Sequence, residues 1–301
     1  MQEVSVFAKV RRLIIAGIPA YNEEKTIAKV VLLAERYADV VIVCNDGSSD
    51  LTADIAESLG AKVLQHSKNM GKGAAIKSLF KASREIGADV LVTLDADGQH
   101  DPNEVPELIR PILDNQADIV IGSRIKHRSE MPMYRRIGNR VLDFFTNAGI
   151  KNKVIDTQSG FRAYSKKAIQ EIDVTEMGLG VDSQILLDAE ERKLRVIERV
   201  VTCSYEAQTS KRNPLIHAVD VIVSILNVIT ERRPLLYLGV PSAALLMLGA
   251  FLTVWLLNLY VADRGFSVTM ALFAMGTMLI GLLLAFAAII LKAISRLRRH
   301  Y

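Results

Sequence analysis

Residues 13–24 read LIIAGIPAYNEE, and residues 40–50 read VVIVCNDGSSD. In both stretches a run of apolar residues ends abruptly in a cluster of polar and turn-forming residues. Such a run is typical of a strand that is buried on both faces, and the segment between the two stretches has the apolar spacing of an amphipathic helix. A strand, a helix and a second strand in this order predict a parallel βαβ unit.

The same alternation continues to about residue 205. We therefore predict an α/β domain with a mostly parallel, Rossmann-like sheet that is covered by helices on both faces. The predicted strands are Leu13–Ile18, Val40–Cys44, Lys62–Gln65, Val90–Leu94 and Ile119–Gly122. The predicted helices are Glu23–Tyr37, Leu51–Leu59, Gly73–Ile86 and Val105–Leu113.

Polar clusters follow four of the predicted strands. Ligands of parallel sheets bind beyond the carboxyl ends of the strands, where these clusters are expected to meet. A single cluster would be a turn or a helix cap, and Ser49 or Asp50 is expected to cap the next helix. Four clusters at one edge predict a ligand site. They are Pro19–Glu24, Asn45–Asp50, Asp95–His100 and Gly122–Arg124.

The cluster DADGQH follows the apolar run VLVTL at residues 90–94. Asp95, Asp97 and Gln99 offer hard oxygen ligands that suit Mg²⁺ or Mn²⁺, which keep positions open for substrate phosphates. A divalent ion there would hold a diphosphate and stabilise its charge as it leaves. We expect His100 to shape the turn before Pro102 and not to bind the metal.

The segment Asn69–Gly73 opens the third predicted helix and carries two glycines beside Lys72. It is not a P-loop, because His66 occupies the position of the first glycine and Ala74 stands where serine or threonine belongs. Glycines at a helix N-terminus next to a lysine suit a phosphate or a sugar hydroxyl. They equally suit close packing of the turn, and both readings stay open.

Two uncharged stretches, Leu235–Ala262 and Gly265–Leu291, lie near the end of the chain. Each has about 27 residues, or roughly 40 Å of helix, enough to cross a hydrocarbon core of ~30 Å. Because only Asp263 and Arg264 separate them, we predict a transmembrane hairpin. The alternative is a helical pair that is buried inside a soluble protein.

Basic residues flank this hairpin on both sides. The positive-inside rule then places the catalytic domain and both termini in the cytoplasm. The first twelve residues, MQEVSVFAKVRR, lack the apolar core of a signal peptide, which agrees with this expectation. The flanking residues are Arg232, Arg233, Lys292, Arg296, Arg298 and Arg299.

The segment Leu215–Glu231, just before the hairpin, shows one narrow polar stripe at helical spacing. Such a helix can lie in the membrane interface with its apolar face down, or it can pack on the core of its own domain. We therefore predict a catalytic domain over residues 1–210, an amphipathic interface helix over 211–233 and a hairpin with a basic tail over 234–301. The stripe consists of His217, Asp220, Ser224, Asn227 and Glu231.

The 301 residues include 37 Lys and Arg and 33 Asp and Glu, so the formal net charge is +4. The tail after Leu291 contributes four of these positive charges. Because no basic stripe with interleaved aromatic residues is present, nucleic acid is not expected as a partner. The two cysteines, Cys44 and Cys203, are predicted to be buried thiols in a reducing compartment.

Five motifs in a fixed order carry a family resemblance: IPAYNEE, NDGSSD, NMGKGAA, LDADGQHDP and GSR. As a set they resemble the family 2 glycosyltransferases of the GT-A fold, and most closely the polyprenyl-phosphate (dolichyl-phosphate) glycosyltransferases. The resemblance continues through DTQSGFR at residues 156–162 and GVDS at residues 180–183. Members of this group also carry an interface helix and a few membrane helices.

The resemblance implies roles for individual residues. The nucleotide pocket would be lined by Pro19, Ala20, Tyr21, Glu23 and Asp46. Asp95, Asp97 and Gln99 would hold the metal and the sugar-nucleotide diphosphate, and Arg124 would reach phosphate oxygens. Arg135 and Arg136 fall in a mobile acceptor loop, and Ser210 and Lys211 match a late element near the lipid phosphate. Asp182 would face the acceptor, with Asp97, Asp182 and Arg124 as the candidate catalytic residues and Lys72 as a further substrate contact.

Two positions depart from the pattern of the family. Asn45 replaces the first Asp of the usual Asp-Asp-Gly-Ser, which leaves the choice between UDP and GDP open. Gln184 stands where Glu is common, which weakens the case for a pair of carboxylates with Asp182.

The resemblance implies an inverting, metal-dependent transfer of a hexose from a nucleotide sugar to polyprenyl phosphate at a lipid bilayer. A processive polysaccharide synthase is disfavoured, because the only tryptophan, Trp255, lies in a predicted membrane span and not in a Gln-x-x-Arg-Trp element. Two alternatives stay open. One is transfer to a hydroxyl of a glycolipid or lipid-linked oligosaccharide with Asp182 as base, and the other is a non-catalytic nucleotide-sugar-binding module. A homo-oligomer could form through the hairpin, but nothing in the sequence requires one.

Overall fold

A computed structural model describes residues 12–125, 140, 143, 146–147, 150–151, 153–178, 180–204, 234–262 and 267–298. The chain divides into two compact units, Met1–Ser224 and Ile225–Tyr301. The predicted interface helix at 211–233 lies outside the described residues.

The first unit is built on a seven-stranded sheet. Its strands are β1 (Ile14–Ala20), β2 (Val40–Asn45), β3 (Lys62–Gln65), β4 (Val90–Thr93), β5 (Ile119–Ser123), β6 (Arg162–Ser165) and β7 (Val196–Val200). They lie in the order β3-β2-β1-β4-β6-β5-β7. Strand β6 is antiparallel to β4 and β5, and all other neighbouring pairs are parallel. The predicted α/β class with a mostly parallel sheet is confirmed.

Helices cover both faces of this sheet. They are α1 (Ile27–Ala34), α2 (Thr52–Ser58), α3 (Lys72–Ile86), α4 (Val105–Leu113), α5 (Lys166–Glu171) and α6 (Val181–Glu191). Side chains alternate along each strand, so Ala16 and Ile18 face the layer of α1, α2 and α4, whereas Ile15 faces the layer of α3, α5 and α6. The two apolar layers form the core, and Cys44 belongs to the second of them. Cys44 and Cys203 are both buried, and neither forms a disulfide.

Helix α1 is shorter than predicted, because its N-terminal residues form a turn. The carbonyl of Glu23 accepts hydrogen bonds from the backbone N–H groups of Thr26 and Ile27. Strand β1 is longer than predicted, since it pairs with β2 as far as Ala20 opposite Asn45. Both differences lie at the same loop, which brings residues 20–24 to the end of the sheet.

The two ends of the parallel strands define two edges of the sheet. The carboxyl edge follows Ala20, Asn45, Thr93 and Ser123, and it carries all four polar clusters. The amino edge precedes the same strands and is marked by Leu13, Asp89 and Asp118.

The second unit contains two long apolar helices, α7 (Val240–Val261) and α8 (Val268–Arg298), with a π-helical turn at Leu235–Gly239 before α7. The segments Tyr237–Val261 and Val268–Ile294 are long and apolar enough to cross a membrane. Only 17% and 22% of their most apolar windows are buried within the chain, so they do not form a soluble core. Gly249 lets the helices approach closely, because a Cβ atom there would lie 2.4 Å from the Met278 side chain. The helix pair agrees with the predicted hairpin.

Candidate active site

Three predicted site residues from distant parts of the chain meet at the carboxyl edge. The ammonium Nζ of Lys72, the first residue of α3, lies 3.0 Å from Asp95 Oδ1 and 3.3 Å from Asp182 Oδ2. Asp95 follows β4, and Asp182 lies in the first turn of α6. One cation therefore bridges two carboxylates at this edge.

The bridge shifts the pKa values of Asp95 and Lys72 in opposite directions. Burial alone would raise the pKa of Asp95, but the combined effect of Lys72, His100 and Arg124, with Lys72 the largest of the three, holds this pKa well below the usual range. For Lys72, burial alone would lower the pKa, but the carboxylates of Asp182 and Asp95 raise it above its ordinary value. Near neutral pH Asp95 is therefore an anion, which is the form that ligates a metal.

Gly160 makes room for this bridge. A Cβ atom at Gly160 would lie 2.6 Å and 2.7 Å from the two carboxylate oxygens of Asp95 and 2.7 Å from Lys72 Nζ. The Thr93 hydroxyl also donates a 2.8 Å hydrogen bond to the Gly160 carbonyl, which fixes the backbone there. Only a residue without a side chain fits against the carboxylate.

The donor set of the predicted metal site has the right chemistry. Asp97 Oδ1 accepts a 3.0 Å hydrogen bond from the Gln99 backbone N–H, which closes the turn through Gly98. Within the described residues no cluster of three or more His, Cys, Asp or Glu side chains could hold a metal. Asp95 and Asp97 with the amide of Gln99 are nonetheless oxygen donors of the kind that Mg²⁺ and Mn²⁺ take together with water and substrate phosphates. The residues fit the metal, and the assignment of these ligands stays a prediction.

Asp46 organises the loop before α3. Its carboxylate accepts hydrogen bonds from the backbone N–H groups of Met70 (3.0 Å) and Gly71 (2.8 Å) and lies 2.7 Å from His66 Nδ1. The second ring nitrogen of His66 lies 2.9 Å from the Ser78 hydroxyl. This role of His66 is not visible in the sequence, because one histidine after a short strand carries no local pattern.

The contacts at the N-terminus of α3 show whether the glycine-rich segment Asn69–Gly73 is free to bind a phosphate or serves close packing. The backbone N–H groups of Gly73 and Ala74 donate hydrogen bonds to the Met177 carbonyl, at 2.9 Å and 3.3 Å. A Cβ atom at Gly73 would lie 2.0 Å from the Glu176 carbonyl oxygen. These amides are therefore already used within the protein, and the structure supports close packing over a phosphate cradle.

We expect Gly73→Ala to destabilise the protein by ~1–3 kcal/mol, because the added methyl group must push two backbone segments apart. Gly178→Ala is the matched control in the same contact, since its Cβ would meet only the flexible Glu176 carboxylate, at 3.2 Å. Thermal unfolding of both full-length variants in detergent checks this. Equal unfolding temperatures for the two variants would contradict the packing argument.

Gln184 explains one departure from the family pattern. Its side-chain oxygen accepts a hydrogen bond from the Thr175 backbone N–H (3.1 Å), and its amide nitrogen donates to the Asp173 carbonyl (2.9 Å). A glutamate could accept the first bond but could not donate the second. Gln184 thus holds the segment whose Met177 carbonyl contacts α3, and its amide bonds to that segment and not to the Asp182–Lys72 ion pair.

The residues predicted to line the nucleotide pocket lie at the ends of β1 and β2. Pro19 and Ala20 belong to β1, Tyr21 is 40% exposed, and burial raises the pKa of Glu23. Asn45 donates a 2.8 Å hydrogen bond to the side-chain oxygen of Gln65 and accepts one from the Ser48 backbone N–H. Their contacts with a nucleotide stay predictions.

The loops after β1 and β2 are joined to each other. The Asn22 backbone N–H donates to the Ser48 hydroxyl, the Ser49 N–H donates to the Asn22 side chain, and the Glu23 N–H donates to the Thr52 hydroxyl, each at 2.8–2.9 Å. These bonds hold the two polar clusters together as one surface.

Arg124 is buried and forms a bidentate ion pair. Its Nε and one terminal nitrogen each lie 2.8 Å from a different oxygen of Asp156. The structure therefore shows a partner within the protein for this guanidinium, and its predicted contact with phosphate oxygens stays a prediction. Four further predicted contacts, Arg135, Arg136, Ser210 and Lys211, lie outside the described residues.

Arg162 connects several backbone segments near the site, and no local sequence pattern indicates this role. Its side chain is fully buried, and it donates to the carbonyls of Thr157 (2.7 Å), Ser159 (2.7 Å) and Asp182 (2.9 Å). It also lies 3.8 Å from the Asp182 carboxylate. The guanidinium thus fixes both the turn before β6 and the start of α6 beneath the Lys72 bridge.

The chain shares sequence and fold with known proteins. It is 35% identical over 224 residues to the UDP-N-acetylglucosamine–dolichyl-phosphate N-acetylglucosaminyltransferase of Methanococcus voltae, which covers 67% of this chain and 89% of that protein. It is 30% identical over 220 residues to the dolichyl-phosphate hexose transferase of Haloferax volcanii, which covers 71% of this chain and 92% of that protein. A crystal structure of glucosyl-3-phosphoglycerate synthase from Mycobacterium tuberculosis, with Mn²⁺, UDP and glucosyl-3-phosphoglycerate bound, superimposes with a TM-score of 0.55 at 24% identity, over 72% of this chain and 80% of that one.

The structural likeness shows the shared GT-A fold. The match to a family model assigns the chain to a family. The model described as Glycosyl transferase family 2 matches residues 16–173, which include most of β1, all of β2–β6 and the bridge residues Lys72 and Asp95. The protein is a glycosyltransferase, and it belongs to glycosyl transferase family 2.

Proposed function

We propose that this glycosyltransferase moves a hexose or an N-acetylhexosamine from a nucleotide sugar to polyprenyl phosphate, with inversion at the anomeric carbon. Relatives named for transfer to dolichyl phosphate support this acceptor. The observation that carries the proposal is the charged bridge at the carboxyl edge, where Lys72 joins Asp95 and Asp182 beside the Asp97 turn. With more carboxylates than cations, this cluster suits a divalent ion, which would in turn bring the anionic diphosphate of a nucleotide sugar to this edge.

Asp95, Asp97 and Gln99 would hold a divalent ion in this proposal, as the Mn²⁺ in the related crystal structure suggests. The ion would supply positive charge to the diphosphate as the sugar bond breaks. Lys72 adds a fixed cation beside Asp95, and Gly160 leaves room for the carboxylate that a side chain at this position would fill. The charge of these side chains is set before the substrates arrive, which avoids reorganisation during the reaction.

The acceptor needs no general base. A phosphate monoester has a second pKa of about 6, so it is mostly a dianion at neutral pH. One phosphate oxygen attacks the anomeric carbon on the face opposite the nucleoside diphosphate, a new C–O bond forms, and the nucleoside diphosphate leaves with the bonding electron pair. Attack from the opposite face inverts the anomeric centre.

Asp182 is a positioning residue in this scheme. Its carboxylate lies between the Lys72 ammonium and the Arg162 guanidinium, at 3.3 Å and 3.8 Å, and it is almost fully buried. These contacts support a role in holding Lys72 in place. The second candidate, transfer to a hydroxyl with Asp182 as base, requires this carboxylate to release a cation first.

The membrane helices favour an acceptor that lies in the bilayer. Tyr237–Val261 and Val268–Ile294 can each cross a membrane, and Arg232 and Arg233 precede the first of them. We propose that the protein is anchored by this pair, with the catalytic unit and both termini in the cytoplasm.

A donor screen tests the proposed reaction. Detergent-solubilised full-length protein is incubated with polyprenyl phosphate, Mg²⁺ or Mn²⁺, and radiolabelled GDP-mannose, UDP-glucose or UDP-N-acetylglucosamine in turn. We expect one donor to give a labelled lipid that is extracted into the organic phase, is released by mild acid and is not formed in EDTA. Label in an extended glycolipid, with none on the phosphate, would favour the hydroxyl acceptor instead.

A further inference from the structure

A cavity of about 560 Å³ opens at the amino edge of the sheet. Its walls include Asp89 and Asp118, which directly precede β4 and β5, and Arg12, which lies two residues before β1. The candidate active site lies at the carboxyl edge, one strand length away, which is roughly 20 Å for the seven residues of β1. The cavity is therefore separate from the site at which sugar transfer is proposed.

Positive charge dominates the walls of this cavity. Five basic side chains and two carboxylates line it. Both carboxylates are already paired, because Asp118 accepts hydrogen bonds from Arg195 (3.1 Å) and Asp89 lies 3.1 Å from the Lys166 ammonium. The basic residues are Arg12, Lys166, Lys167, Lys193 and Arg195.

Three cations remain after this pairing. In the described part of the chain, no carboxylate forms an ion pair with Arg12, Lys167 or Lys193. Arg195 also donates to the Asn115 carbonyl at 2.6 Å, so the wall on which these charges sit is held in place. The cavity therefore has three more positive than negative charges, and hydrogen bonds of Arg195 hold its wall in place.

Lys193 occupies a backbone conformation that favours glycine. Its φ angle is +56°, in the left-handed region, directly after the C-terminal residues of α6. Glycine is common at this position of a helix end because it adopts the left-handed region without a steric cost. A lysine here places a charge at the cavity despite that cost, which is an independent indication that the side chain has a use.

We propose that this cavity is a binding site for a soluble, multiply charged phosphate, such as a di- or triphosphate. An anion with three or more charges matches the excess of three cations, and a cavity of about 560 Å³ has the size of a small-molecule site. A concave cavity suits a small anion better than a bilayer, which presents a flat surface. The donor and acceptor of the transfer reaction bind elsewhere, so the site is additional to the proposed function.

Binding of tripolyphosphate to the full-length protein tests the proposal. The protein in neutral detergent is stripped of metal ions with EDTA, exchanged into EDTA-free buffer and then titrated calorimetrically, so that no metal-dependent diphosphate site contributes. We expect wild type to bind, and Lys193→Gly and Lys167→Gln each to weaken binding roughly tenfold. Lys62→Gln is the matched control, because Lys62 is exposed at the start of β3 and does not line the cavity.

Lys193→Gly separates a binding role from a structural one. It removes the charge at a position where glycine is unstrained, so its unfolding temperature should be equal to or above that of wild type. Failure of wild type to bind, or equal binding by all variants, would overturn the proposal. A second titration distinguishes a soluble phosphate from a lipid headgroup. It is done in nanodiscs of phosphatidylcholine with and without phosphatidylglycerol. Displacement of tripolyphosphate by the anionic lipid would show a headgroup site and would overturn the proposal of a soluble ligand.

Discussion

Asp97→Asn is expected to lower the transfer rate roughly 10³-fold, with little change in stability. A bound divalent ion contributes several kcal/mol to charge stabilisation, and each 1.4 kcal/mol corresponds to a factor of ten in rate. The asparagine keeps the size of the side chain and can still accept the 3.0 Å hydrogen bond from the Gln99 N–H. The variant therefore removes the charge and leaves the turn intact.

Asp101→Asn is the matched control for this experiment. Asp101 is exposed in the same loop, and its carboxylate accepts a 3.0 Å hydrogen bond from the Asn103 N–H, which an asparagine can also accept. Rates, unfolding temperatures and Mn²⁺ affinity are measured for both variants with the donor that the screen identifies. If Asp97→Asn keeps a rate within tenfold of wild type and binds Mn²⁺ normally, Asp97 is not a metal ligand.

Arg162→Met is expected to destabilise the protein by ~3–5 kcal/mol, or to lower its unfolding temperature by roughly 10 °C. The guanidinium is fully buried and is a donor to three backbone carbonyls, those of Thr157, Ser159 and Asp182. A methionine fills a similar volume but leaves these carbonyls without that donor. Unmet hydrogen bonds of buried groups cost far more than the loss of an exposed contact.

Arg110→Met provides the comparison. Arg110 lies on the exposed side of α4, and its ion pair with Asp114 is long, at 3.9 Å, so its loss should change stability by less than ~1 kcal/mol. Thermal unfolding of both full-length variants in detergent gives the difference. Arg162→Lys adds a further check, since it keeps the charge but cannot donate to three carbonyls in the geometry of a guanidinium. Equal stability of Arg162→Met and Arg110→Met would show that the buried guanidinium does not hold this region together.

Much of the fold was predictable because it depends on local patterns. Apolar runs followed by polar clusters indicated β1, β2, β4 and β5 to within one or two residues at most ends. Strand β6 was not predicted, because it is four residues long and begins with the charged Arg162, which breaks the apolar pattern. Its antiparallel insertion between β4 and β5 depends on the whole sheet and not on its own four residues.

The candidate site likewise contains some residues that a local pattern indicates and others that it does not. Asp95, Asp97 and Gln99 lie within five consecutive residues, so the spacing of hard oxygen donors after a strand was visible in the sequence. The roles of Gly160 and His66 were not visible, because each depends on a contact across the fold. Gly160 lies against the carboxylate of Asp95, and His66 contacts that of Asp46.

Local sequence patterns specify the α/β class and the two apolar spans, and they predict the candidate site at the carboxyl edge, because periodicity and strand-end chemistry depend on neighbouring residues. The contacts of the folded chain establish that Lys72 bridges Asp95 and Asp182, that the Met177 carbonyl accepts from the amides of the glycine-rich turn, and that Arg162 is buried. The two Lys72 contacts join residues that are 23 and 110 positions apart in the sequence. Their formation depends on the packing of the complete sheet, which no local pattern encodes.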